Sequence, residues 1–92
     1  MLEFLKEQLA PLGTISYKRM FGGYGVFLNG QMMGIVQGDD IFIKKTNINA
    51  DDERFGYQRH GKTVYLNYVR IDELLLDEQD ELVDLVKSFL SI

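Results

Sequence analysis

The sequence predicts an α+β fold, in which an antiparallel sheet of about five strands carries an N-terminal and a C-terminal helix packed on it. Three observations predict it. Leucines near the N-terminus recur every three or four residues, which is the period of an amphipathic helix. Short apolar runs separated by glycine-containing turns fill the middle of the chain, and a second helical apolar pattern ends it. The length of 92 residues fits one domain, which we place at residues 1–92.

The chain opens with a predicted helix and strand. One apolar stripe is formed by four leucines, Leu2, Leu5, Leu9 and Leu12. Pro11 and Gly13 end this helix. The run 15–21 alternates partly and favours a strand, and Gly22-Gly23 breaks it.

Three further strands are predicted in a meander over residues 24–28, 32–37 and 41–45. Asn29-Gly30 is the strongest hairpin signal, because both positions of a type I′ turn need a positive φ. Residues 38–40 form the next tight turn.

The next part of the chain is less regular. Residues 46–53 are polar and predict a loop or a short helix capped by Thr46 or Asn47, and residues 55–61 are interpreted as an irregular connection. Residues 63–69 predict the last strand, because they are rich in β-branched and aromatic side chains.

Two helical segments end the chain. Asp72 is the predicted N-cap of a short helix that runs to Leu76, and residues 80–90 carry a broad apolar stripe. Seven carboxylates lie between Asp72 and Asp84, but they lack the spacing of a calcium loop. We interpret them as a solvated helix surface with favourable charge at the N-terminus of the last helix.

Composition excludes several classes of function. The chain has no cysteine, so disulfides, thiolate metal sites and cysteine nucleophiles are excluded, and a reducing cytoplasm is predicted. No run approaches the ~20 apolar residues of a membrane span, so no membrane partner is predicted. The net charge of −4 divides into +2 over residues 1–70 and −6 over residues 71–92. An acidic chain disfavours non-specific nucleic-acid binding as the main activity.

Two candidate catalytic or binding features are weak. The run Gly22-Gly23-Tyr24-Gly25 lacks the spacing of a phosphate-binding loop and precedes a strand, so it indicates a bulge, a kink or close backbone packing. His60 is the only histidine, and no nucleophile, carboxylate partner or metal-ligand set accompanies it in the sequence. We therefore predict no enzyme activity, no metal and no cofactor, and interpret residues 59–62 as a solvated turn.

Basic residues interleaved with aromatic residues form the remaining candidate site. Such interleaving is found in proteins that bind single-stranded nucleic acids, although the aromatic residues of a small sheet more often form its core. Direct nucleic-acid binding through a basic sheet face therefore stays open as the alternative function. The predicted partner-binding or signature residues are Lys18, Arg19, Met20, Phe21, Gly22, Gly23, Gly25, Lys44, Lys45, Arg59 and Lys62.

The run Arg19-Met20-Phe21-Gly22-Gly23-Tyr24-Gly25-Val26-Phe27 resembles the signature of the N-terminal domain of the TfoX/Sxy family. The likeness continues through Asn29-Gly30 and ends near residue 90. The resemblance implies a secretion-chaperone-like architecture, in which helices pack against a curved antiparallel sheet. It also implies a regulator of DNA-uptake competence without catalytic activity. The resemblance further implies a transcription-factor partner such as the cyclic-AMP receptor protein. Full-length members carry a second, helical domain, so a stand-alone N-terminal domain is expected here.

The leading hypothesis is therefore a cytoplasmic, non-enzymatic module that regulates transcription by binding a protein partner. The predicted contact surface joins residues 19–25 to Lys44 and Lys45. The open edges of an antiparallel sheet and the pair Met32-Met33 also predict a homodimer.

Overall fold

The structure, a computed structural model, describes residues 1–92 as two helices packed on one sheet. The α-helices are α1 (Leu2–Leu9) and α2 (Gln79–Leu90), and 3₁₀ helices follow α1 (Ala10–Leu12) and precede α2 (Glu73–Asp77). The strands are β1 (Ile15–Met20), β2 (Gly23–Leu28), β3 (Gln31–Gln37), β4 (Asp40–Lys44), β5 (Arg54–Arg59) and β6 (Lys62–Ile71). All pairings are antiparallel, in the order β1-β2-β3-β4-β6-β5. The predicted α+β fold is confirmed.

The sheet has six strands rather than five, because β5 occupies the segment that was predicted to be irregular. His60 and Gly61 have φ angles of 52° and 76°, so they form a two-residue turn that joins β5 to β6. Arg59 pairs with Lys62 across that turn. The 46–53 segment, in contrast, is a loop, as one of the two predicted alternatives had it.

Two other hairpins use the same kind of turn. Asn29 and Gly30 have φ angles of 51° and 85°, so both predicted turn positions do lie in the left-handed region. Phe21 and Gly22 form the equivalent turn between β1 and β2, with φ angles of 54° and 73°. The prediction that Phe21 continues the first strand is therefore wrong, because β1 ends at Met20. A bulky aromatic residue rarely adopts a positive φ.

The main core lies between the helices and one face of the sheet. Leu5 and Leu9 of α1 meet Leu82 and Val86 of α2, and all four are fully buried. The sheet contributes seven residues of this cluster, Ile15, Val26, Met33, Val36, Ile41, Ile43 and Ile71. Each buried aliphatic side chain contributes about 1.5–3 kcal/mol by leaving water. Of the predicted caps, that of Asp72 is confirmed, since its carboxylate accepts from the Leu74 N–H at 3.0 Å.

A second, smaller cluster forms on the opposite face of the sheet around Ile35, Phe42 and Phe55. We call this surface the aromatic face. Phe21 lies beside edge strand β1, yet its ring centroid is 5.6 Å from that of Phe55 and 5.5 Å from that of Tyr57 on the other edge strand. The two edges can meet only if the sheet curls over this face. Neither α-helix is long and apolar enough to cross a membrane.

Candidate functional site

The glycines of the segment 22–25 are required by backbone packing. A Cβ atom on Gly23 would lie 2.1 Å from the Val36 carbonyl oxygen, and one on Gly25 would lie 2.7 Å from the Met20 sulfur. The segment is a turn followed by closely packed strand, as one of the predicted alternatives had it. A register shift lies further along, between Val26 and Phe27, in the pairing of β2 with β3.

Strand register places Lys18 on the aromatic face. Residues directly opposite each other in an antiparallel pair point to the same face. One such row crosses the sheet from Lys18 through Gly25, Ile35 and Phe42 to Arg70. Phe42 belongs to the aromatic cluster, so Lys18 shares its face.

Three more cations lie on the same face by register. Lys44 is opposite Tyr68, and Arg59 is opposite Lys62 and two residues from Tyr57. All three side chains and that of Lys18 are exposed, and none of the four makes an ion pair. These four residues, Lys18, Lys44, Arg59 and Lys62, are called the free cations below.

The remaining cation of the aromatic face is neutralised. The Arg70 guanidinium binds Asp40 at 3.1 Å and Glu53 at 3.3 Å. The two carboxylates raise the pKa of Arg70, so it stays charged. Tyr68 lies two residues before Arg70 on β6. Its hydroxyl donates to the Met32 carbonyl oxygen at 3.4 Å, and burial raises the pKa of Tyr68. The free positive charge of this face therefore comes from the four free cations.

Lys45 has a different environment from its neighbour Lys44. Its ammonium group donates to the Asp52 carboxylate at 2.8 Å and lies 5.0 Å from the centroid of the Phe89 ring. The side chains of Lys45 and Asp52 are each only 15% exposed. The Asp52 carboxylate also accepts from the Asn49 backbone N–H at 2.7 Å. Lys45 thus fixes the 46–53 loop against α2, and it is not available on the aromatic face.

This ion pair makes the stability of the protein depend on pH in acid. The Lys45 ammonium and then the Asn49 N–H hold the pKa of Asp52 below its ordinary value of 3.8. A carboxyl whose pKa is lowered on folding stabilises the protein above its unfolded pKa, and this stabilisation disappears as the pH falls through the folded pKa. We expect Asp52→Asn to lower the melting temperature at about pH 6 and to have little effect at about pH 2.5.

Thermal unfolding monitored by circular dichroism between these pH values measures this effect. Asp51→Asn is the matched control, since Asp51 is exposed and makes none of these contacts. If Asp52→Asn lowered the melting temperature equally at about pH 6 and at about pH 2.5, the Lys45–Asp52 ion pair would not be the source of the pH dependence.

The structure separates the predicted site residues into two groups. Arg19 is exposed on the helix-bearing side of β1, because it is opposite Tyr24 in the row that leads to Val36 and Ile41. Gly22 lies in the first turn. The residues that lie on or border the aromatic face are Lys18, Met20, Phe21, Gly23, Gly25, Lys44, Arg59 and Lys62.

The predicted site residues leave out four side chains of this surface. Tyr57, Leu66, Tyr68 and Met32 are half-buried side chains packed against the aromatic cluster. The alternation of Phe55, Tyr57 and Arg59 before His60-Gly61 was the signal for β5, since period-2 patterning next to an X-Gly pair is typical of a hairpin.

A groove of about 200 Å³, lined by both apolar and polar side chains, adjoins the aromatic face. It is lined by Leu28, Met32, Met33 and Leu90, with Lys44 among its polar residues. Met32 contacts the aromatic cluster as well, so the groove and the face form one continuous surface.

The other candidate catalytic or metal-binding residues, His60 and the carboxylates, do not lie together in the structure. His60 is exposed in the β5–β6 turn. No group of three histidine, aspartate or glutamate side chains is close enough to hold a metal ion. A shallow depression near Asp51 and Asp72 is lined mainly by charged residues, and Arg70 is among them.

Comparison with known proteins now agrees with the signature in the first hairpin. The TfoX N-terminal domain family matches residues 7–91. The chain belongs to this family. Protein Sxy of Escherichia coli (strain K12) is 32% identical over 88 residues, which cover 89% of this chain and 42% of Sxy. This TfoX N-terminal domain therefore spans less than half the length of the curated relative that it matches.

Proposed function

We propose that this TfoX N-terminal domain is a non-enzymatic regulatory module of the cytoplasm that binds a protein partner through its aromatic face. The observation that carries the proposal is the set of four free cations around half-buried aromatic and methionine side chains, on a face that no helix covers. Methionine and aromatic side chains are enriched at protein contact surfaces, and charges around such a patch attract a partner of opposite sign. Membership of the family supports a role in regulating DNA-uptake competence, with a transcription factor such as the cyclic-AMP receptor protein as the partner.

The charge distribution supports the choice of this face. The helical segments 1–12 and 72–92 hold nine carboxylates and two lysines, a net charge of −7. The intervening residues 13–71 hold eight Lys or Arg and five carboxylates, a net charge of +3. A partner with negative charge is therefore attracted to the sheet and repelled by the helices.

Affinity capture from a lysate tests the proposal. We expect the wild-type domain to retain a protein that survives nuclease treatment, and the variant Lys18→Gln/Lys62→Gln to retain at least about fivefold less of it. The matched control is Lys6→Gln/Lys87→Gln, which removes the same charge from the helices and should capture as much as the wild type. Equal capture by both double variants would contradict the placement on the aromatic face.

A second candidate function is the binding of single-stranded nucleic acid, which the positive charge of the four free cations also supports. In this case the affinity for an oligonucleotide would fall steeply with salt, with a slope set by the number of phosphates that the cations neutralise. Loss of about 1.4 units of that slope in Lys18→Gln/Lys62→Gln is the expected result, because each phosphate contact to a single strand contributes about 0.7. A flat response to salt would rule this function out.

A self-associating form stays a prediction. Edge strand β1 carries Lys18 and Arg19, and edge strand β5 carries Arg54 and Arg59. Cations on edge strands disfavour pairing between two copies. A homodimer would therefore have to form through a surface other than the strand edges.

A further inference from the structure

We infer that the partner presents a short acidic peptide segment to the aromatic face, with one apolar side chain inserted in the adjoining groove. The inference rests on the proposed function and adds the chemistry of the ligand. Three features of the described surface carry it: the unpaired charge, the shape of the groove and the packing of the rings.

The unpaired charge selects a negative ligand. Lys44 lines the groove, while Lys18 lies at the far edge of the face, on β1. Arg59 and Lys62 close the third side, at the end of the β5–β6 hairpin. The two carboxylates beside Arg70, those of Asp40 and Glu53, are both bound to its guanidinium. A ligand with several carboxylates therefore finds free cations on three sides of the face. The carboxylates of Asp40 and Glu53 do not compete for these cations, because both are bound to Arg70.

The groove selects an apolar side chain as the anchor. Its volume of about 200 Å³ suits one or two aliphatic side chains, and Leu28, Met33 and Leu90 form its apolar wall. Methionine side chains adapt to ligands of different shape because they are unbranched and flexible. Lys44 among the groove residues places an ammonium group beside the anchor. A peptide in which an apolar residue stands next to a glutamate or aspartate would fill the groove and pair with the Lys44 ammonium group.

The packing of the rings favours a peptide over a nucleic acid. Bases need exposed flat ring faces on which to stack. Here Phe55 meets Phe21 at 62° and Phe42 at 77°, so these rings are engaged edge to face with one another. Phe21, which is 37% exposed, is the only aromatic residue of this face with more than one third of its surface exposed. The total charge of −4 also repels a long polyanion, whereas a short peptide acts within the ~10 Å range of the local charges.

Fluorescence anisotropy with three labelled eight-residue peptides tests the inference. The first alternates glutamate with leucine, the second glutamate with serine, and the third lysine with leucine. We expect the glutamate–leucine peptide to bind at about 50 mM salt, and each of the other two to bind at least about tenfold more weakly. Lys44→Gln/Lys62→Gln should weaken binding at least about fivefold, while Lys6→Gln/Lys87→Gln leaves it unchanged.

Methyl NMR gives a readout of the site itself. The chain has four methionines, and only Met32 and Met33 line the groove. Their methyl signals should shift on titration with the glutamate–leucine peptide, while that of Met1 stays in place. Equal binding of the glutamate–serine peptide would overturn the role of the groove, because that peptide has no apolar anchor.

Three outcomes would overturn the inference. The first is an absence of glutamate–leucine peptide binding in a folded protein that still captures its protein partner, which leaves the proposed function standing. The second is binding of a single-stranded oligonucleotide in place of the peptide. The third is a dimer, seen by sedimentation, that Lys44→Gln/Lys62→Gln dissociates while no peptide binds, which would make a second copy the occupant.

Discussion

Replacing Gly23 with alanine will lower the free energy of unfolding by about 3 kcal/mol. The new Cβ atom would lie 2.1 Å from the carbonyl oxygen of Val36 and 3.0 Å from the Cα of Gln37, and both of these are backbone atoms of β3. Backbone cannot rotate away as a side chain can, so relief requires β2 and β3 to separate where Tyr24 pairs with Val36. Urea denaturation followed by circular dichroism measures the loss.

Two alanine variants separate this clash from other effects of a glycine. Gly25→Ala meets the flexible Met20 side chain and should lose less than half as much. Gly30→Ala has open space around it but a φ of 85°, so it should cost about 1 kcal/mol through backbone strain alone. If Gly23→Ala were no worse than Gly30→Ala, then the strands would not be packed as closely as the structure has them.

The local signals in the sequence were enough to predict most of the fold. Asn29-Gly30 specifies a tight turn through its own backbone preferences, and Asp72 caps a helix through a bond to a residue two positions away. Both effects act within a few residues, so no knowledge of the distant chain is needed. Phe21 shows the limit of such reasoning, because an aromatic residue favours a strand and here adopts a turn conformation instead.

The candidate site depends on contacts between distant segments, so it could be predicted only in part. Lys44 and Lys45 are adjacent in sequence and were grouped together, but Lys44 ends β4 and Lys45 follows it, and successive residues of an extended chain point to opposite faces. Lys44 is exposed beside the groove, whereas Lys45 is bound to Asp52 under the 46–53 loop. The pairing of β4 with β6 brings Tyr68 opposite Lys44, and no local pattern in the sequence specifies that crossover.

Replacing Phe55 with alanine is expected to cost about 3–5 kcal/mol, because its side chain is 2% exposed and its removal leaves a cavity on the aromatic face. The ring packs against Phe42 at 5.2 Å and against Phe21 at 5.6 Å, so its loss removes one of the two ring contacts that join the edges of the curled sheet. Chemical denaturation gives the total loss, and amide hydrogen exchange shows where it falls. Exchange should accelerate most in β5, which pairs with β6 alone.

The controls for Phe55→Ala decide whether the aromatic face is a second core or a loosely packed surface. Tyr65→Ala removes a ring that is 58% exposed on the neighbouring strand and should cost less than about 1 kcal/mol. Phe21→Ala should fall between the two, since its ring is 37% exposed but contacts both Phe55 and Tyr57. A loss in Phe55→Ala as small as that in Tyr65→Ala would mean that the sheet does not close over these rings. In that case the four free cations would not surround a common surface, and the proposed peptide site would fail with the curl that assembles it.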